Sequence, residues 1–229
     1  MNIAQYIDHT LLKQTATWKD IKQLAEEAKE HQFAAVCVPP LYVKKVKESL
    51  EGSGVKVATV IGFPFGYEAI EAKVAEIVLA MVDGADELDM VANISAMKNT
   101  DWSFIGNEIS TIMSIVKSKG KVLKVIIESG VLTDDEIIKC CDIYGAAGVD
   151  FVKTSTGYAE QGATIHAVKL IRAHLSDAVQ IKASGGIRSF DFAKQLIVAG
   201  ANRIGCSGSL QILEESMAKS METGESNSR

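Results

Sequence analysis

Short apolar runs rich in β-branched residues alternate with longer segments of helical periodicity along almost the whole 229-residue chain. Such alternation is typical of βαβ units, which build a parallel sheet. Eight strands are predicted, the first with the weakest signal: Ile7–Thr10, Ala34–Val38, Val57–Ile61, Glu87–Val91, Val122–Ile127, Val149–Lys153, Val179–Lys182 and Arg203–Cys206. Seven helices are predicted between them: Trp18–His31, Tyr42–Leu50, Ala69–Val82, Phe104–Ser118, Asp135–Tyr144, Ile165–His174 and Phe190–Val198.

A faint internal repeat supports this assignment. Gly84, Gly148 and Gly200 each open a Gly-x-Asp/Asn tripeptide between a predicted helix and a predicted strand, where glycine can end the helix in a left-handed conformation. No Gly-rich nucleotide-binding loop follows the first strand, as an open doubly wound sheet would favour. We therefore predict a single-domain α/β protein, a (β/α)8 TIM barrel over residues 1–221, and expect the polar tail 222–229 to be disordered.

Composition excludes several classes of protein. A net charge of −5 without a basic cluster argues against nucleic-acid partners, and no apolar run approaches the roughly 20 residues of a membrane span. The N-terminal residues do not resemble a secretory signal. The four cysteines show no Cys-x-x-Cys spacing and the histidines are scattered, so we expect a reduced, cytoplasmic protein with no metal and no cofactor.

Two lysines end consecutive predicted strands. Lys153 and Lys182 would lie about one strand spacing apart, on the order of 5 Å, at the end of the barrel where such folds carry their sites. Repulsion between two ammonium groups at that range lowers the pKa of at least one, and a neutral amine can attack a carbonyl. The alternative is that each lysine simply bonds a carboxylate or lies outside the barrel mouth.

Carboxylates that could handle protons follow the same geometry. Asp89 lies late in its strand and is the first candidate, with Asp8 in support, although Asp8 is equally consistent with an ordinary cap or turn. Lys124 and Glu128 share strand parity, which predicts a charged pair on the inner face.

A phosphate-binding signal follows the last two strands. Barrels commonly bind phosphate between the loops after strands seven and eight and the N-terminus of a small helix. The glycines and serines in these loops are Gly185, Gly186, Ser207, Gly208 and Ser209, and Ser209 opens a short helix predicted to reach about Lys219. The segment after Lys153 adds further donors at Thr154 and Gly157.

These motifs together resemble the deoxyribose-phosphate aldolases, a family of class I, Schiff-base aldolases. Phe151–Gly157 resembles their Schiff-base strand, Lys182–Arg188 their second-lysine and phosphate-loop segment, and Gly84–Val91 their acidic strand. Ile7–Lys13 and Leu123–Glu128 are similar as well, so the resemblance runs from residue 7 to about residue 215.

The resemblance implies reversible cleavage of 2-deoxy-D-ribose 5-phosphate to D-glyceraldehyde 3-phosphate and acetaldehyde. It implies that Lys153 is the Schiff-base nucleophile, that Lys182 lowers its pKa and that Asp89 handles protons; spacing alone does not choose between the two lysines. The glycines and serines after strands seven and eight would line the phosphate pocket. The partners would be small sugar phosphates and aldehydes, and apolar helix faces are compatible with a homodimer.

The chain also departs from some relatives. Tyr158 stands where some have a phosphate-contacting lysine, and the terminal Asn-Ser-Arg replaces a tyrosine that reaches the site in others. The alanine customary after the first glycine-serine of the last strand is altered as well, in the sequence Cys-Ser-Gly-Ser from Cys206. Cys37 matches a cysteine near the substrate of some relatives, and an apolar core position explains it equally well.

Two other functions remain open on the sequence alone. A phosphate-binding barrel isomerase or synthase would share the glycine-serine loops without needing paired lysines. A non-catalytic barrel that binds a sugar phosphate would keep strand-end lysines that titrate normally.

Overall fold

Eight parallel strands form a closed barrel in sequence order, in which the first strand is hydrogen-bonded to both the second and the eighth. A computed structural model describes residues 1–225, with side chains described to residue 221. The strands are β1 (Ile7–Thr10), β2 (Ala35–Val38), β3 (Lys56–Ile61), β4 (Glu87–Val91), β5 (Val122–Ile126), β6 (Phe151–Lys153), β7 (Gln180–Ser184) and β8 (Arg203–Cys206). The closed barrel confirms the predicted (β/α)8 fold and all eight strands, including the weak first one.

Helices connect the strands and surround the barrel. They are α1 (Trp18–Glu30), α2 (Val43–Ser49), α3 (Ile70–Val82), α4 (Ile94–Lys98), α5 (Trp102–Ser118), α6 (Asp134–Ala147), α7 (Ile165–His174), α8 (Phe190–Val198) and α9 (Ser209–Glu225). The short α4 was not predicted. α5 starts two residues early because the Asp101 side chain caps it by accepting from Phe104 N. α9 runs to Glu225, into the predicted tail, and 226–229 lie outside the described residues.

The internal repeat has a physical basis in the ends of the strands. The glycines of all three tripeptides have positive φ, as expected for residues that leave a helix. The following Asp86, Asp150 and Asn202 each accept a hydrogen bond from a backbone N–H of the preceding strand, namely Val57, Leu123 and Ile181, at 2.8–3.0 Å. Each of these side chains therefore satisfies a backbone donor near the start of the preceding strand and links two successive strands.

The apolar core lies between the strands and the helices rather than inside the barrel. Buried aliphatic side chains of both layers form one large cluster, while the only separate apolar cluster among the described residues consists of Cys37, Ala58 and Val60, with Leu12 and Phe63 packed on it. The space inside the barrel is thus left for polar groups. No helix of the described region has the length and apolarity to cross a membrane.

Candidate active site

Charged side chains occupy the middle of the barrel. They come from six of the eight strands, they are joined by ion pairs, and all but one partly exposed arginine are buried. We call this set the interior cluster: Asp8, Glu87, Asp89, Lys124, Lys153, Lys182 and Arg203. Branched apolar residues usually fill this space in such barrels, and burying charge is costly. A buried cluster of this kind therefore marks a candidate functional site.

Asp89 lies at the centre of the cluster. Its Oδ2 accepts from Lys153 Nζ and from Lys182 Nζ, at 2.7 Å in each case, and its Oδ1 accepts from Lys124 Nζ at 2.8 Å. The strand register explains this convergence, because Lys153 pairs with Lys182 and Asp89 pairs with Lys124 across neighbouring strands. Lys153, at the end of β6, and Lys182, in the middle of β7, consequently share one carboxylate oxygen.

Asp8 and Arg203 extend the cluster towards β1 and β8. Arg203 Nε donates to Asp8 Oδ1 at 2.6 Å, and its Nη2 lies 3.2 Å from Glu87 Oε2. The other oxygen of Asp8 forms a short ion pair with Lys182. Asp8 is therefore a fully buried member of the interior cluster rather than the ordinary cap or turn that the sequence also allowed.

The charges of the interior cluster do not balance when every group is ionised. Three carboxylates face four bases, which leaves one excess positive charge in a buried space. Arginine stays protonated, so one of the three lysines must lose its proton to balance the set. Lys124 and Lys182 each contact at least two carboxylates of the cluster, whereas Lys153 contacts Asp89 alone. Lys153 is accordingly the lysine that loses its charge most readily.

The pKa values likewise distinguish Lys153 from Lys182. Burial lowers the pKa of Lys153; the charge of Asp89 opposes this effect and the charge of Lys182 adds to it. Burial alone would lower the pKa of Lys182 too, but Asp8 and Asp89 outweigh burial and raise it. Burial would raise the pKa of Asp89, yet the neighbouring lysines hold it well below its ordinary value. Asp89 is therefore a stable anion in the free site.

The predicted pair between Lys124 and Glu128 is wrong. Lys124 lies inside the barrel and pairs with Glu87 and Asp89. Glu128 lies past the end of β5 at a φ of 52°, where its carboxylate accepts from the backbone N–H and the hydroxyl of Thr156. Strand parity stops applying once the chain leaves the extended conformation.

A cavity of about 340 Å³ opens at the C-terminal ends of the strands. Its wall comes from the ends of β6, β7, β8 and β1 and from the loops that follow them. Lys153 is the single member of the interior cluster that lines it. Among the residues proposed from the sequence for phosphate, the cavity is lined by Gly157, Gly185, Gly186 and Ser207.

Glycine allows the walls of this cavity to pack closely. Gly185 has a φ of 87°, and a Cβ there would lie 3.0 Å from the Cα of Gly162 and 3.4 Å from that of Gly157. The loops after β6 and β7 therefore touch backbone to backbone. Within the described chain the backbone N–H groups of Gly186 and Ile187 donate to no protein atom, so they are available to an anion.

Three predicted residues do not line the cavity. The Thr154 hydroxyl donates to the Ser184 carbonyl, and the Ser209 hydroxyl contacts His9 Nδ1 at 2.9 Å. Gly208 lies outside the lining as well. The hydroxyl groups of Thr154 and Ser209 are therefore already hydrogen-bonded within the protein. Near Ser209, the backbone N–H groups at the N-terminus of α9 remain as donors.

Cys37 lies inside the barrel, at the position for which the sequence left two explanations. Its thiol is buried in the small apolar cluster, and burial raises its pKa, so the thiol is neutral. The charges of Asp89 and Lys182 nevertheless act on it, which places it beside the interior cluster.

Sequence reasoning missed three basic residues of the site. Arg203 completes the interior cluster, and Lys13 and Arg188 line the cavity. Arginine at the start of a strand is usually exposed, so no local signal distinguished Arg203. Lys13 and Arg188 were visible only as parts of longer motifs. Among the side chains that the structure describes, up to residue 221, no group of three or more His, Cys, Asp or Glu could hold a metal ion.

Comparison with known proteins places this arrangement in one family. The family model for "DeoC/LacD family aldolase" matches residues 2–214. The chain belongs to this family. It is 51% identical over 216 residues to a deoxyribose-phosphate aldolase of Caldanaerobacter subterraneus subsp. tengcongensis, covering 94% of each protein.

Solved structures of similar proteins agree with the family. A putative deoxyribose-phosphate aldolase from Coccidioides immitis superposes with a TM-score of 0.90 at 41% identity, covering 94% of this chain and 86% of that one. The tetrameric deoxyribose phosphate aldolase from Aeropyrum pernix gives a TM-score of 0.87 at 35% identity, covering 94% of this chain and 91% of the other.

Gly205 leaves room for Lys182 in this aldolase. A Cβ at Gly205 would lie 2.5 Å from Ser184 Oγ and 2.9 Å from Lys182 Cε. We expect Gly205→Ala to displace Lys182 and to lower aldolase activity about 10- to 100-fold, as small misplacements in active sites do. Steady-state kinetics would measure this. Gly106→Ala is the matched control, since a Cβ there meets no atom within 4 Å; equal activity of the two variants would contradict the prediction.

Proposed function

We propose that the protein is a class I deoxyribose-phosphate aldolase. It reversibly cleaves 2-deoxy-D-ribose 5-phosphate to D-glyceraldehyde 3-phosphate and acetaldehyde through a Schiff base on Lys153. The observation that carries the proposal is that a single lysine of the interior cluster lines the cavity, and that its pKa is lowered. The names of the similar proteins support the choice of substrate.

Lys153 is a better nucleophile than Lys182. Lys182 is fully buried and paired with Asp8 and Asp89, which keep its ammonium charged. Lys153 has one carboxylate partner and a lowered pKa, so more of it is neutral at a given pH. A neutral amine at a cavity wall can attack an aldehyde, whereas an enclosed ammonium cannot.

The proposed chemistry proceeds through an iminium ion. The Lys153 amine adds to the aldehyde carbon of the substrate, and loss of water gives the iminium. The bond between C2 and C3 then breaks as the C3 hydroxyl loses its proton, which releases glyceraldehyde 3-phosphate and leaves an enamine. Protonation of the enamine at C2 and hydrolysis of the resulting iminium release acetaldehyde and restore the amine. The lysine itself supplies the electron sink, so no cofactor is required.

Asp89 and Lys182 would act together on the protons that Lys153 Nζ gains and loses. Asp89 Oδ2 lies 2.7 Å from Lys153 Nζ, within reach of the proton that this nitrogen loses. Its pKa is held so low that it is a poor acid by itself. Lys182 donates to the same oxygen of Asp89. Its positive charge offsets the negative charge of Asp89 while the proton is transferred. We therefore assign to Asp89 the roles of fixed anion and hydrogen-bond acceptor, with water completing the transfer.

The other end of the cavity suits the phosphate of the substrate. Gly185 and Gly186 allow the phosphate to come close to their backbone N–H groups. Ser207 directly follows β8, and the N-terminus of α9 comes next. Backbone N–H groups and a helix N-terminus favour an anion.

The direct test is turnover combined with chemical trapping. Purified protein with 2-deoxy-D-ribose 5-phosphate should produce acetaldehyde, measured by a coupled alcohol dehydrogenase assay. With borohydride and acetaldehyde, intact-mass analysis should show a covalent ethyl adduct, and peptide mapping should locate it on Lys153. A phosphate-binding isomerase or synthase would give no adduct, and a non-catalytic sugar-phosphate binder would give no acetaldehyde.

Self-association and a cytoplasmic location are further parts of the proposal. Leu79 and Val82 on α3 are 65% and 78% exposed, and a homodimer would cover such apolar side chains. The related Aeropyrum pernix protein is described as tetrameric, which supports self-association without fixing the number of subunits. The four cysteines are free and buried, which is compatible with a reducing compartment.

A further inference from the structure

The loop after β1, residues 11–17, is held at the cavity mouth by several hydrogen bonds to its backbone N–H and C=O groups. Leu11 N donates to Cys37 O at 3.0 Å, and the Tyr158 hydroxyl donates to Leu12 O at 2.9 Å. The Tyr42 hydroxyl donates to Ala16 O at 2.8 Å, and Ala16 N donates to Lys13 O at 3.0 Å. The backbone at Lys13 is thus anchored on both sides.

Lys13 is an exposed lysine at the cavity wall. It lines the cavity together with Lys153, Arg188, the two glycines after β7 and Ser207, and the lining contains no carboxylate. No carboxylate of the described chain lies within ion-pair distance of Lys13, although its charge acts on Asp20 at longer range. A lysine whose backbone is anchored at the wall and whose charge is not neutralised by an ion pair suits an anionic ligand.

Tyr158 connects the loop after β6 to this β1 loop. Its ring packs edge-on against Phe63, with ring centroids 5.4 Å apart and an interplanar angle of 89°. Its backbone N–H donates to the Thr156 hydroxyl at 3.0 Å. Ring and backbone are therefore both fixed, and the hydroxyl is directed at the carbonyl of the residue before Lys13.

We propose that Lys13 binds the phosphate group of the substrate and that Tyr158 is the positioning residue that holds Lys13 in place. In this chain a cation from the β1 loop supplies the charge, and the tyrosine supplies the anchor. The inference deepens the proposed function and rests on it for the identity of the substrate.

The chemistry matches the group that would be bound. A phosphate monoester carries close to two negative charges at neutral pH, because its second pKa is about 6. The glycine loops supply backbone donors of partial charge, whereas Lys13 and Arg188 supply full positive charges. Lysine binds as a mobile point charge, so the position of its backbone determines how well it reaches the anion.

The first test uses Lys13→Gln, with Lys19→Gln on α1 as the matched control outside the cavity. We compare kcat/KM for 2-deoxy-D-ribose 5-phosphate with kcat/KM for unphosphorylated 2-deoxy-D-ribose. Lys13→Gln should lower the ratio about tenfold, the size expected for one charged hydrogen bond, mainly through KM. The control should leave the ratio at its wild-type value, and an unchanged ratio in Lys13→Gln would overturn the proposal.

The second test addresses Tyr158 as a positioning residue. Tyr158→Phe removes only the hydroxyl, and the ratio should fall about threefold. In the double variant Tyr158→Phe/Lys13→Gln the two losses should not add, because the hydroxyl acts through Lys13. Fully additive losses would mean that Tyr158 has a separate structural role and would overturn that half of the proposal.

Inorganic phosphate separates failure of this inference from failure of the proposed function. Its binding to the intact protein is measured by calorimetry, which needs no turnover. Weaker phosphate binding by Lys13→Gln than by Lys19→Gln supports the site even if the protein forms no borohydride adduct. Equal phosphate binding by both variants, with normal adduct formation, would reject Lys13 as the phosphate ligand and leave the aldolase intact.

Discussion

Lys153→Ala is expected to lower kcat/KM for 2-deoxy-D-ribose 5-phosphate by about 10⁴-fold or more, the scale on which loss of a covalent nucleophile acts. The reason is chemical, since Lys153 is the one amine of the interior cluster at the cavity wall. No other lysine of that cluster can replace it, because both others are fully buried and paired with carboxylates. The measurement is steady-state kinetics combined with borohydride trapping, and the adduct should disappear with the activity.

The stability of the variant tests the charge assignment separately. If Lys153 is neutral, Lys153→Met leaves three cations and three carboxylates in balance, and the free energy of unfolding in urea should shift by no more than about 1–2 kcal/mol.

The control for the activity of Lys153→Ala is Lys169→Ala, which changes an exposed lysine on α7 and should match the wild type. Persistent trapping in Lys153→Ala would show that another amine forms the Schiff base, and would remove the central assignment.

Much of the fold could be predicted because its signals are local. β4, β8, α7 and α8 have the predicted bounds, since apolar periodicity and the flanking glycines define them within the sequence itself. The earlier start of α5 was decided by the Asp101 side-chain cap. The starts of α2 and α3 each shifted by one residue without a side-chain cap. The short α4 carries too few residues for a periodic signal, although Asn93 caps it by accepting from Ala96 N.

The site was predictable only where strand parity applies. The sequence placed Lys153, Lys182 and Asp89 in the right strands, and closure of the barrel brought them together. Lys153 ends β6 as predicted, whereas β7 continues two residues past Lys182, to Ser184, so Lys182 lies inside its strand. The prediction failed for Glu128, where a positive φ turns the side chain out of the strand pattern. Arg203 was missed because pairing with Asp8 and Glu87 depends on contacts between distant strands, which no local pattern reports.

The hydroxyl groups of the predicted loops also depend on contacts that the sequence does not report. Thr154 and Ser209 occupy the predicted loops, yet each hydroxyl finds a partner within the protein, at Ser184 and at His9 respectively. A sequence identifies which loop faces a ligand, whereas the competition between protein and ligand for one hydroxyl is decided by packing. Backbone donors of glycines escape this competition, and Gly185 and Gly186 both line the cavity.

Lys182→Met is expected to lower kcat/KM at pH 7 by about 10²-fold and to move the acid limb of the pH–rate profile upward. With Lys182 removed, three carboxylates face three bases, so Lys153 must keep its proton to balance the cluster. The sign follows from the repulsion that is lost: Lys182 lowers the pKa of Lys153, so its removal raises that pKa. Each unit of increase lowers the neutral fraction about tenfold at a pH well below the pKa.

The profile distinguishes this cause from simple loss of structure. A raised pKa predicts that activity recovers as the pH rises towards the ordinary lysine range, whereas a misfolded site stays inactive at every pH. Lys182→Arg retains the cation beside Asp8 and Asp89 and should leave the acid limb near its wild-type position even if the larger side chain slows the reaction. An acid limb that does not move in Lys182→Met would mean that burial alone sets the pKa of Lys153. Lys182 would then hold the two carboxylates in place without tuning the nucleophile.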